Sequence, residues 1–197
     1  MDEQVIHIYE KLPLFETGLV MGIVLVLLHL VALLKPETAM SAIGKAHKAE
    51  KAGVALLGVD FAWVALLLWN SPNNPLRMPL FEFEIARGPL LLLCPVIWFI
   101  LGTMAKENLF PRALGFFLLL MAIVPMSAAF LQEPATRILI PLWWYPVLTA
   151  AMFWVAWPWT FRDWADKLIA RPLLFRALAA FGTVYGAVLI LCAILFW

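Results

Sequence analysis

The chain has 197 residues, of which 64% are hydrophobic and 14% charged. A soluble domain carries about 25% charged and about 45–50% apolar residues, so water cannot solvate a fold of this composition and lipid must cover part of it. The formal net charge is +1 and the chain has no basic run, which excludes nucleic acid as a partner.

Six apolar runs, at about residues 18–34, 53–70, 88–105, 113–132, 138–157 and 177–197, predict an all-α integral membrane protein with about six transmembrane helices in one bundle. Each run approaches the ~20 residues that cross a hydrocarbon core of about 30 Å. The connections are short, so residues 1–197 read as a single polytopic domain.

Ahead of the first run, Val5, Ile8, Tyr9 and Leu12 suit a helix lying on the membrane surface. The first seventeen residues are acidic, and no small-residue cleavage site follows the first run. That run is therefore expected to stay as a span rather than leave as a signal peptide. It contains Gly18 and Gly22 in GxxxG spacing, then His29, and ends at Lys35. Residues 38–51, with Met40, Ile43 and His47 at helical spacing, lead into the second run, which starts at Gly53 and contains Asp60.

The loop 71–89 carries Pro72, Pro75, Pro79 and Pro89, which favour extended backbone. Within it Phe81, Glu82, Phe83, Glu84 and Ile85 alternate with period two, predicting a short strand or lid with both acids on a solvated side. The fourth and fifth runs are joined by a tight turn at residues 132–137 and should be antiparallel neighbours. Pro95, Pro125, Pro141 and Pro146 fall within spans, where they can kink helices and open a cavity. Ser127 is a lone hydroxyl in the fourth run, suited to bonding a backbone carbonyl. Thr160 and Asp163 have capping-box spacing at the start of a short interfacial helix, 160–170, with Trp164 and Leu168 on one face. The last run repeats the GxxxG spacing at Gly182 and Gly186. These small-residue faces suit close helix contact, within the bundle or with a neighbouring subunit. No internal repeat is visible.

Ten basic residues fall on one set of loops: Lys35, Lys45, Lys48, Lys51, Lys106, Arg112, Arg162, Lys167, Arg171 and Arg176. Four, Lys11, Arg77, Arg87 and Arg137, fall on the other set. The sets alternate along the chain, which predicts three cytoplasmic loops, both termini outside, and residence in a cell inner (cytoplasmic) membrane. Trp69, Trp143 and Trp144 are expected near the outer boundary, and Trp154, Trp157, Trp159 and Trp164 near the inner one.

Ionisable groups inside spans are expensive and informative. His29 and Asp60 each fall roughly 9–11 Å from the cytoplasmic boundary at 1.5 Å per residue. Consecutive antiparallel helices tend to be neighbours, so the two suit a hydrogen-bonded pair, either structural or an ion relay. His29 alone could serve as the axial ligand of a pigment. Bis-histidine haem is excluded, because His7 and His47 lie outside the apolar runs. Cys94 and Cys192 have no metal-ligand spacing and read as packing residues. No hydrolase, metalloprotease or nucleotide-binding signature is present, so no catalytic and no metal residue is assigned. The expected function is a non-catalytic subunit or scaffold of a larger membrane complex, with the bilayer and other membrane subunits as partners and a homo-oligomer possible. The alternatives are a small ion- or proton-coupled transporter or channel using His29 and Asp60, and a pigment- or cofactor-holding subunit.

Overall fold

The computed structural model describes residues 8–71, 74–104 and 108–197. The expectations placed on Val5, His7, Pro72 and Lys106 lie outside these. The described residues form eight α-helices and three short 3-10 turns, with no strand among them. Six helical segments are long and apolar enough to cross a membrane, as expected of a polytopic membrane protein.

The first helix, α1 (Leu14–Leu34), ends at Lys35, and Pro36 opens α2 (Pro36–Ala46) at the first helical position. A proline belongs there because its missing N–H would have no helical partner in any case. The same device at Pro172 opens α8 (Pro172–Phe196). Between them lie α3 (Glu50–Leu68), α4 (Arg87–Met104), α5 (Leu109–Ala129), α6 (Leu139–Ala156) and α7 (Trp159–Ile169). Pro95, Pro125 and Pro146 lie inside helices. Pro141 instead occupies the first turn of α6, where it removes no intrahelical hydrogen bond.

The two terminal spans pair most extensively. Gly22 and Gly186 face each other, and a Cβ built on either would stand 2.8 Å from the other's carbonyl oxygen. Both GxxxG faces are thus used within this chain. Leu14, Met21 and Leu25 of α1, Ala122 and Ala129 of α5, Ile140 and Trp144 of α6, and Leu189 of α8 form the larger core. A smaller core joins Leu57 of α3 to Leu109 and Ala113 of α5. At the edge of the bundle, α4 packs on α3 and on the turn that precedes it. Trp98 lies against Gly58 and donates from Nε1 to the Val54 carbonyl at 3.2 Å.

The face that carries α2 and α7 is closed by these two helices packing on each other, with Gly44 against Ile169. Phe161, Ala165 and Leu168 form the buried stripe of α7, and Arg162, Asp163, Asp166 and Lys167 are exposed. The capping box does not form: the Thr160 hydroxyl donates to the Trp157 carbonyl, and Asp163 pairs with Arg162 at 3.6 Å. Phe161 meets Trp154, Trp164 and Phe110 in a packed aromatic cluster. At the other end of α6, Trp144 is buried in the core and Trp143 turns onto α1 and α8.

The candidate functional site on the α3–α5 seam

Gly53, Leu57 and Asp60 follow one another at intervals of four and three residues, so they line one stripe of α3. The α3 and α5 backbones approach closely at Gly53 and Phe110. One turn on, Leu57 packs on Leu109 and Ala113, and further on Trp63 meets Phe117 with ring centroids 6.2 Å apart. The two helices therefore run side by side in the same direction. Asp60 sits on their seam, between the Leu57 layer and the Trp63 layer.

Asp60 is 3% exposed, and neither carboxylate oxygen has a hydrogen-bond partner. Buried polar atoms in proteins are almost always paired, and an unpaired charge in hydrocarbon is costlier still. A carboxyl group in this setting can be satisfied in two ways, by carrying a proton or by facing a cation. Among the described residues, no group of three or more His, Cys, Asp and Glu is placed to hold a metal ion. Among the described residues, the other buried side-chain polar atoms without partners are Nδ1 of His47, Nε of Arg112 and Nε1 of Trp144.

His29 lies elsewhere, on the α1–α8 seam. Its Nδ1 donates to the Leu25 carbonyl at 2.8 Å, and its ring meets Trp143 edge-to-face with centroids 5.6 Å apart. The ring occupies the space that a side chain at residue 182 would fill, which is why that position is glycine. An axial ligand must present a free nitrogen to a flat macrocycle. Here Cγ, Cδ2 and Nε2 of the ring lie against α8 at Gly182.

His29 and Asp60 are not brought together, because α1 takes α8 as its main neighbour, while α3 packs on α5 and α4.

Sequence reasoning missed Arg87, which it counted only as a loop charge. Arg87 is 4% exposed. Its Nε and Nη2 donate to the two Glu84 oxygens, each at 2.7 Å, and Nη2 and Nη1 also reach the carbonyls of Met78 (2.6 Å) and Leu68 (3.2 Å). Glu84 further accepts from the Leu80 amide at 3.1 Å and pairs with Arg77 at 3.7 Å. The expected strand or lid is instead a 3-10 turn, Phe81–Ala86. Bidentate pairing fixes the Glu84 carboxylate in position, and the period-two alternation of the sequence has no neighbouring strand to read it. The signal available in the sequence was the Glu84 and Arg87 pair, one helical turn apart at the head of an apolar run.

Beside Pro125, a cavity of about 630 Å³ is lined by Leu119, Ala122, Ile123, Met126, Ser127, Phe130 and Leu148. Ser127 is its one hydroxyl. Cys94 and Cys192 are buried free thiols on different helices. No protein-family model, no curated protein and no solved structure matches this chain.

Proposed function

We propose that this chain is a non-catalytic transmembrane subunit or scaffold of a larger assembly in a cell inner membrane. In this reading the loops bearing α2 and α7 are cytoplasmic and both termini are outside. The observation that carries it is the position of α4. Only Arg87 and Cys94 of this helix are buried, whereas α5 buries eight residues along its length. Leu92, Val96, Phe99 and Ile100 of α4 are exposed. In lipid, apolar surface alone does not drive helices together; close packing and hydrogen bonds do. A span held on one side, through Arg87, Trp98 and Leu101, leaves its remaining faces free for a partner helix.

Purification from native membranes in mild detergent, followed by intact-particle mass measurement, tests this reading. The expected result is a particle containing other polypeptides. A particle holding this chain alone overturns it. For orientation, Glu133→Cys should react with an impermeant thiol reagent added outside intact cells, and Lys48→Cys should not.

Asp60 favours a second reading, in which the chain exchanges protons or cations across the membrane on its own. Reconstituted vesicles would then show an ion flux that Asp60→Asn abolishes. Flux that survives this substitution sinks the second reading.

A further inference from the structure

Among its described residues, the connection from α3 to α4 pairs many of its own backbone and charged groups. A helix ends with four carbonyls that lack a partner within the helix. Here the connection satisfies those at the end of α3 one by one. The Asn74 side-chain amide donates to Leu66 at 2.7 Å and to Trp69 at 3.0 Å, the Met78 amide to Leu67 at 2.9 Å, and Arg87 to Leu68 at 3.2 Å. Arg87 and Glu84 neutralise each other bidentately, and Arg77 stands beside them. Leaving water is costly for unpaired backbone and for single charges. Both costs are largely removed in this segment.

Beside the exposed Arg77, Glu82 and Glu84, the segment shows large apolar side chains to its surroundings. Phe81, Phe83 and Ile85 are 81%, 70% and 93% exposed. Successive residues of a 3-10 turn point about 120° apart, so these three side chains project in three different directions. Phe81 holds a left-handed backbone conformation, φ 48°, which a bulky residue adopts only where its surroundings impose it. The turn is also continuous with the apolar stretch Phe81–Met104. A protein partner covers one side of such a turn, whereas lipid surrounds it.

We propose that the turn Phe81–Ala86 is a membrane-contact segment, with Phe81, Phe83 and Ile85 entering the lipid at the boundary between headgroups and acyl chains. Glu82, the acid of the turn that Arg87 does not engage, reaches back to the headgroup layer. The segment fastens the α3–α4 edge of the bundle to its leaflet, as amphipathic surface elements do.

The test uses the full chain in nanodiscs of phosphatidylcholine and phosphatidylglycerol. Spin labels are placed at Phe83→Cys, Ile85→Cys and, as an aqueous reference, Glu133→Cys, each with Cys94 and Cys192 replaced by alanine. At 83 and 85, collisions with oxygen should exceed those with a water-soluble nickel complex, and at 133 the order should reverse. Nickel-dominated collisions at 83 and 85 overturn the proposal. If the cysteine variants do not fold, hydroxyl-radical footprinting of the unaltered chain decides the matter. Phe81 and Phe83 should be protected in the pure-lipid discs, and strong oxidation there overturns the proposal. Protection in native membranes that is absent in the lipid discs assigns the cover to a protein and overturns it as well.

Discussion

The α1–α8 seam holds His29 and the α3–α5 seam holds Asp60, and the protein treats the two oppositely. On the first seam His29 has a carbonyl for Nδ1, an aromatic neighbour in Trp143 and a glycine opposite that makes room for its ring. On the second, Asp60 is as well hidden from solvent as its apolar neighbours, yet both its oxygens lack a partner. A polar group held by a carbonyl and by ring contacts reads as part of the packing. One buried with no hydrogen-bond partner is where stability has been given up, and such sites cluster where proteins function.

If the first seam is structural, breaking its closest approach should have the largest effect. Gly22→Leu drives a side chain into the Gly186 carbonyl and Ile190. It should destabilise the protein by about 3 kcal/mol, the upper range for overpacking, measured by unfolding in mixed detergent. His29→Ala removes a ring that fills the gap at Gly182 and should cost about 2 kcal/mol, as a cavity-forming truncation does. Asp60→Leu should do the opposite and stabilise the fold by about 1–2 kcal/mol, because an unpaired polar group gives way to an apolar one of similar size. A marked loss of stability on Asp60→Leu would mean that the carboxyl is structurally engaged and would erase the contrast.

The sequence made the spans legible because their signal is local: a run of apolar residues and a change of loop charge. The helix starts at Pro36 and Pro172 lie two and five residues before the starts read from the sequence, at 38 and 177. Which spans touch was not legible. In α1 and α8 apolar residues surround the helix, so no hydrophobic stripe points to a partner. The only pointers to their contact were Gly18, Gly22, Gly182 and Gly186, which suit a neighbouring subunit equally well until Gly22 is seen against Gly186. The importance of Asp60 was visible in its residue type, but its isolation was not, because that depends on the side-by-side course of α3 and α5. Arg87 was hidden because its partners, from Leu68 to Glu84, span a whole connection that looked like an exposed strand.

The smallest effect is the one that tests the comparison most directly. A hydrogen-bonded His29 and Asp60 would make the two substitutions interdependent, with the second adding little once the first had been made. The geometry places them on different seams with no shared partner. Sites so separated, with no shared partner, add within about 0.5 kcal/mol. The double variant His29→Ala with Asp60→Leu should therefore show the loss of the first offset by the gain of the second, in the same detergent unfolding measurement. A larger coupling would mean that the two seams communicate through α5 and α6. In that case His29 and Asp60 would belong to one element with two arrangements rather than to two independent regions of the bundle.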